Sequence, residues 1–185
     1  MASRRFSPGD ITAGDGRPHR YRLIVLAGGV ADVVESAGGF LCDRARAGWE
    51  VSVHLTGGVD ARPLAILGIT THEPDADFAS VIGSSSRGAV LAVGAGLLAR
   101  DAAIRDDVSR MVVHGLTEVT VWGRPGPGGI GRGLEPATHP LSAAARAFKA
   151  QALLAAGSDA LDTGTVAADE MLFRLRGRPR LLHSV

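Results

Sequence analysis

Two glycine turns carry most of the chemistry that can be argued from this sequence. Gly28 and Gly29 follow one apolar run, and Gly94 and Gly96 follow another. Glycine lets a ligand approach the backbone closely, and the free N–H groups of a helix N-terminus favour a negative charge. Parallel strands bring such turns to the same edge of a sheet, where open α/β sheets bind ligands. The turns therefore predict a site for a small anionic ligand.

Two polar side chains are expected at the same edge. Asp32 comes shortly after the first turn, and Thr56 follows the next predicted strand. The charge of Asp32 repels a phosphate, but its carboxylate can accept a hydrogen bond from a sugar hydroxyl. We therefore predict a nucleotide or a sugar-phosphate as the candidate ligand and no cofactor. The predicted ligand-binding residues are Gly28, Gly29, Asp32, Thr56, Gly94 and Gly96.

Tight turns alone are the alternative explanation of these glycines. The complete G-x-G-x-x-G pattern is absent, because positions 31 and 33 are Ala and Val. A glycine turn forms without any ligand, since glycine adopts backbone angles that other residues avoid. The pattern therefore indicates a turn at the edge of a sheet and leaves its ligand open.

No catalytic or metal-binding set can be assembled from the sequence. The six histidines stand at positions 19, 54, 72, 114, 139 and 183, and none pairs with another three or four residues away. Cys42 is the single cysteine, which excludes an intramolecular disulfide and a four-thiolate zinc site. We therefore predict no metal site and leave the catalytic residues unassigned.

The elements that position the turns follow from hydrophobic spacing. Residues 21–58 give a strand, a glycine turn, a helix and a second strand, which form a right-handed parallel unit, and residues 88–123 repeat that order. The sequence predicts a Rossmann-like three-layer α/β sandwich with a mainly parallel sheet. The strongest strand predictions are 21–27, 50–55, 89–93 and 117–122, with further strands at 69–72 and 171–176. The longest predicted helices are 30–48, 97–114 and 140–156.

The pair Gly38 and Gly39 is unusual, because it lies inside the first predicted helix. Two interior glycines destabilise a helix by about 1.6–2 kcal/mol relative to alanine. Something must offset that loss. The sequence predicts either close packing of the helix on the sheet, or a ligand or partner helix at short range.

Length and composition predict one globular domain at 20–185, a flexible N-terminal arm at 1–19 and a mobile Gly/Pro loop at 123–133. The net charge of +1 and the 4% aromatic content make nucleic acid an unexpected partner. The basic residues are almost all arginine, as is typical of high-GC codon usage. No apolar run approaches the roughly 18 residues of a membrane span, so we predict a cytoplasmic protein without a membrane partner.

A resemblance to a known family appears in residues 21–58. The apolar strand, the helix with Gly38 and Gly39, Gly48 before the next strand, and Leu55-Thr56-Gly57 resemble the opening of the PIG-L-like zinc-dependent deacetylases of N-acetyl sugars. The resemblance implies a Rossmann-like layout.

The metal motif of that family is not reproduced. Its histidine ligand falls on Gly29 and its general-base aspartate on Ala31, so that Asp32 alone matches a ligand. Its later pair of histidines is echoed by His139, with Ser142 in place of the second. The resemblance therefore argues for the fold and against that family's chemistry.

Three functional classes follow. The main prediction is a non-catalytic protein that binds a small anionic ligand or a protein partner, because no catalytic set is visible. The alternatives are a hydrolase or transferase with its site at the C-terminal edge of the sheet, and a structural protein that acts by oligomerisation. A fold alone does not decide among them.

Overall fold

The structure is a computed structural model that describes residues 21–56, 60–72, 78, 80–81, 89–114, 118–124, 133–157 and 166–175. The predicted N-terminal arm and most of the predicted loop at 123–133 lie outside these residues. So does the basic end of the chain after position 175.

The described strands form one seven-stranded sheet with the order β3-β2-β1-β4-β5-β7-β6. Strands β1 to β5 pair in parallel, and β7 runs antiparallel to both of its neighbours. This arrangement confirms the predicted α/β fold with a mainly parallel sheet. The strands are β1 Arg22–Ala27, β2 Glu50–Leu55, β3 Thr70–Thr71, β4 Ala89–Gly94, β5 Val119–Trp122, β6 Leu134–Pro140 and β7 Asp169–Leu175.

Helices cover both faces of this sheet. Alternate residues of each buried strand point to opposite faces, so the sheet divides the apolar side chains into two cores. Helices α1, α2 and α5 pack on one face, and α3 and α4 pack on the other. Their bounds are α1 Val30–Arg46, α2 Arg62–Ile66, α3 Ala95–Arg100, α4 Ala102–Val113 and α5 Ala143–Ala155.

The single helix predicted at 97–114 is wrong, because the structure has two helices there. Asp101 is extended, with φ −114° and ψ 107°, and separates α3 from α4. Its carboxylate accepts a hydrogen bond of 3.0 Å from the N–H of Ile104 and so caps the start of α4. The apolar period runs through both helices, which is why the pattern predicted one.

The predicted start of the last helix at Pro140 is also wrong. Pro140 ends strand β6, which the sequence analysis did not predict, and α5 begins at Ala143. Ser142 caps α5, since its hydroxyl accepts from the N–H of Ala145 at 3.0 Å. Strand β6 contains Pro136 as well, and it lies at the edge of the sheet, where a residue without an N–H is tolerated.

Gly38 and Gly39 lie where α1 is closely packed. A Cβ at Gly39 would come within 2.5 Å of Leu141, just before α5, and a Cβ at Gly38 within 3.3 Å of Leu67. Close packing therefore accounts for both glycines, although it is not the packing on the sheet that the sequence predicted. The atoms in contact belong to Leu141 and Leu67 rather than to the sheet.

Among the residues described, none of the helices is both long enough and apolar enough to pass through a membrane.

Candidate active site at the centre of the sheet edge

Strands β1 and β4 lie side by side at the point where the strand order reverses. In register, Leu26 of β1 pairs with Val93 of β4, so the turns after the two strands leave the sheet next to each other. The chain connects from β1 to one side of the sheet and from β4 to the other. Open α/β sheets bind ligands at this switch point, outside the carboxyl ends of the strands.

Asp32, in the first turn of α1, lies over the turn after β4. Its Oδ2 accepts a hydrogen bond of 3.2 Å from Nε1 of Trp122, the last residue of β5. Trp122 is fully buried, whereas Asp32 is exposed. A Cβ at Gly94 would lie 3.0 Å from this same carboxylate oxygen and 3.3 Å from the indole. Glycine at position 94 therefore leaves the space in which Asp32 and Trp122 meet.

Arg100, the last residue of α3, lies over the turn after β1. A Cβ at Gly28 would collide with its Nη2 atom, so the guanidinium covers the α-carbon of that glycine. Arg100 is exposed and forms no ion pair with any other side chain that the structure describes. Arg100 was not among the predicted site residues, because a continuous helix at 97–114 would place it on an outer face. Only the break at Asp101 ends α3 at this position.

The structure brings four of the six predicted ligand-binding residues together in two pairs, one at each of two neighbouring turns. Thr56 donates a hydrogen bond of 3.2 Å to the carbonyl of Gly28, which joins the turns after β1 and β2, and Asp32 lies at Gly94. The other two glycines are not needed for space, since a Cβ at Gly29 or Gly96 would meet nothing within 4 Å. Ligand binding by these residues stays a prediction.

His139 and Ser142 do not lie beside Asp32. They contact Asp43, which accepts hydrogen bonds from the Ser142 hydroxyl at 2.6 Å and backbone N–H at 3.2 Å, with Nε2 of His139 at 3.1 Å. Asp43 is eleven residues after Asp32 in α1, which is about 16 Å along the helix axis. His139 and Ser142, which resemble the family's later pair of ligands in sequence, therefore form a contact between α1 and the residues just before α5.

The pKa of Asp43 reflects this contact. Burial alone would raise the pKa of the carboxyl group, but the hydrogen bonds from Ser142 and His139 outweigh burial and hold it below 3.8. Cys42, the residue before Asp43, is buried, and burial is the first cause that raises the pKa of its thiol, followed by the charge of Asp43. Asp43 is held by the contact with Ser142 and His139, and Cys42 is a thiol packed in the core, so neither side chain is part of the candidate site.

The chain's fold is similar to that of several solved deacetylases. The structure of a deacetylase–teicoplanin complex from teicoplanin biosynthesis has a TM-score of 0.63 and 14% identity, over 85% of this chain and 99% of the other. The A40926 pseudoaglycone deacetylase has a TM-score of 0.58 and 14% identity, over 86% and 99%. A zinc-inhibited form of a teicoplanin deacetylase has the same four values. No family model matches the sequence, and no curated protein does.

These similarities confirm the resemblance to PIG-L-like zinc-dependent deacetylases and correct two predictions. The predicted non-catalytic binding role is wrong, because the similar structures are enzymes, and the hydrolase alternative fits them better. The prediction of no cofactor, with a nucleotide or sugar-phosphate as ligand, is contradicted too. One of the similar deacetylases is described in a zinc-inhibited form, so a metal is associated with that enzyme.

The side chains described here do not fit a catalytic zinc of the usual kind, which takes three protein ligands. Gly29 and Ala31 offer no donor side chain beside Asp32, and His139 lies at the far end of α1. Within the described part of the chain, no group of three or more His, Cys, Asp or Glu residues could hold a metal ion. The chemistry that these residues support directly is that of a carboxylate and a guanidinium.

Proposed function

We propose that this protein is a hydrolase that removes an acyl group from an amine, with its site at the switch point between β1 and β4. One observation carries the proposal: Asp32 and Arg100 lie over the two adjacent glycine turns, at the edge where this fold binds ligands. The similarity to deacetylases supports hydrolysis over the transferase alternative.

Asp32 would act as the general base. Trp122 holds one carboxylate oxygen, Oδ2, and the other oxygen, Oδ1, accepts no hydrogen bond from the groups that the structure describes. That second oxygen can take a proton from a water molecule, whose oxygen then attacks the acyl carbonyl carbon. When the carbon–nitrogen bond breaks, Asp32 returns the proton to the departing amine. The products are a carboxylic acid and an amine, and the carboxylate is regenerated.

Arg100 would stabilise the negative charge that forms on the carbonyl oxygen during the attack. The guanidinium carries five N–H donors, and none of them forms an ion pair with a side chain that the structure describes, so they can donate to an oxyanion. Gly28 and Gly94 lack side chains, and the space this leaves is taken by Arg100 and by Asp32, so both charges can lie close to the ends of β1 and β4.

The test is acetate release from a panel of N-acetyl amino sugars. We expect Asp32→Asn to lower kcat by about 10²–10⁴-fold, the usual contribution of a general base. We expect Arg100→Met to lower it by about 10²–10³-fold, as removal of an oxyanion donor does. The matched controls are Asp106→Asn in α4 and Arg146→Met in α5, both exposed, and they should keep the wild-type rate.

Assays are run both with added Zn²⁺ and with a chelator, so that a metal requirement is seen separately from the two side chains. Full activity of Asp32→Asn under either condition would show that the base lies elsewhere. If the wild-type protein releases no acetate from any of these substrates, the deacetylase proposal is wrong.

We also propose where the protein acts and in what oligomeric state. We expect a cytoplasmic protein, which fractionation of expressing cells tests. A homo-oligomer is the second expectation, and light scattering tests it.

A further inference from the structure

A buried ion pair enters the middle of α1. Nζ of Lys149 in α5 lies 2.6 Å from Oε1 of Glu170 in β7, and the two side chains are 6% and 3% exposed. The two carboxylate oxygens of Glu170 accept hydrogen bonds of 2.8 Å from the backbone N–H groups of Gly39 and Phe40. Lys149 also donates a bond of 2.7 Å to the carbonyl of Glu35.

These contacts reach both backbone groups of one helical hydrogen bond. In an α-helix, the N–H of Gly39 donates to the carbonyl of Glu35, four residues earlier. The same N–H also donates to Glu170, and the same carbonyl also accepts from Lys149. The ion pair thus contacts α1 through its backbone as well as through side-chain packing.

The same strand that holds α1 also holds Trp122. In β7, Glu170 contacts α1, and Leu172, two residues later, pairs in register with Trp122 of β5. Strand β7 therefore fixes α1 relative to β5. Asp32 lies about one helical turn before Glu35 in α1, and its hydrogen bond to Trp122 joins α1 to β5.

From this arrangement we infer that Lys149 and Glu170 are positioning residues, which set Asp32 against Trp122. A buried ion pair is a weak source of stability, because desolvation of the two charges offsets their attraction. Because the pair is hydrogen-bonded to backbone groups of α1, it has a different role, which is to fix the position of the first turn of α1. The catalytic meaning of this inference rests on the proposed function of Asp32, but the geometric claim does not.

The experiment uses the double variant Lys149→Met/Glu170→Leu in the full chain. Removal of both charges leaves no unpaired ion, and apolar replacement of a buried pair is commonly tolerated. The N–H groups of Gly39 and Phe40 then still have the helical carbonyls four residues earlier as acceptors. The readout is the indole N–H resonance of Trp122 in ¹⁵N-labelled protein, assigned with Trp49→Phe, since the chain has two tryptophans.

We expect the double variant to move this resonance toward its position in Asp32→Ala, where the hydrogen bond is absent. Glu170→Gln, which keeps the shape and one acceptor, should move it in the same direction but less. The control is Asp43→Asn, which weakens another contact between α1 and the start of α5 but lies farther from Asp32. It should leave the resonance unchanged.

An unmoved Trp122 resonance in both the double variant and Glu170→Gln would overturn the inference, whatever happens to stability. Activity is measured in parallel, and we expect about a tenfold fall in kcat with little change in KM. A moved resonance together with full activity of Asp32→Asn would uphold the positioning role and refute the proposed function. An unmoved resonance together with a large loss of activity in Asp32→Asn would refute the positioning role and uphold the proposed function.

Discussion

At the scale of single residues, the sequence identified Asp32 but not what Asp32 does. Its carboxylate gains direction from Trp122, 90 residues later, and space from Gly94. Neither partner is visible in a local pattern. Arg100 was missed for a related reason, since its position depends on the break at Asp101. Residue types could be predicted as site components, while the distances that make them a site could not.

The contact between Gly28 and Arg100 gives a prediction at this scale. Gly28→Ala adds a methyl group where the end of the Arg100 side chain lies, and that flexible end can move at little expense in stability. We expect the free energy of unfolding to change by less than about 0.5 kcal/mol. The rate of acyl hydrolysis should fall nearly as far as in Arg100→Met, because the guanidinium is displaced.

A double-mutant cycle checks this prediction. If Gly28→Ala acts through Arg100, the variant that carries both changes should be no slower than Arg100→Met alone. Additive losses would show that the methyl group blocks the substrate directly.

At the scale of elements, hydrophobic spacing predicted the buried strands well. Strands β1 and β4 are apolar on both faces, and that composition is typical of the interior of a parallel sheet. The edge strand β6 escaped prediction, because Pro136 and Pro140 argue against a strand except at an edge. Edge position depends on the whole sheet order, which no single segment contains.

The glycine pair in α1 was predicted to need close packing, and the structure gives the two sites different amounts of room. At Gly39, a Cβ would lie 2.5–3.0 Å from three atoms of buried Leu141, whereas at Gly38 the nearest atom, of Leu67, is 3.3 Å away. Gly39→Ala should therefore destabilise the protein by about 1–2 kcal/mol, since overpacking exceeds the gain in helix propensity. Gly38→Ala should be closer to neutral.

Urea denaturation measures both variants, with Leu141→Ala as the partner in a cycle. In the Leu141→Ala background, Gly39→Ala should lose its destabilising effect or become stabilising, because the methyl group fills vacated space. An equal effect of Gly39→Ala in the two backgrounds would mean that Leu141 is not what the glycine accommodates.

At the scale of the whole molecule, the fold could be predicted and the function could not. Two strand–turn–helix–strand units were enough to predict a mainly parallel sheet with a binding edge, and the similar deacetylases have this fold. The non-catalytic conclusion failed, because it required a catalytic set to be visible along the sequence. In this chain the residues of the proposed site come from three different elements: Asp32 contacts Trp122 beside Gly94, and Arg100 lies at Gly28 in the neighbouring turn.

A buried histidine in β2, His54, makes the stability of the whole fold depend on pH. His54 of β2 is buried, its Nδ1 has no hydrogen-bond partner among the described groups, and its ring stacks on His72 with centroids 4.5 Å apart. Burial, then the nearby His72 and Arg22, lower its pKa below 6.5. The folded protein therefore resists protonation of His54, while the unfolded chain accepts the proton at its ordinary pKa.

This difference in proton binding predicts that acid destabilises the fold. The stability from neutral His54 is complete above pH 6.5 and declines as the pH falls from 6.5 toward the lowered pKa of the folded state. The slope cannot exceed about 1.4 kcal/mol per pH unit for one group. Asp43 does not contribute in this window, because its lowered pKa affects stability only near and below 3.8.

Urea unfolding at pH 7.5 and pH 5.5 tests this prediction on wild type and His54→Phe, which keeps a ring of similar size but cannot be protonated. We expect wild type to lose about 1 kcal/mol more than His54→Phe between the two pH values. His114→Phe, at the exposed end of α4, serves as the control and should follow wild type. Equal losses in wild type and His54→Phe would show that the buried imidazole does not link folding to pH.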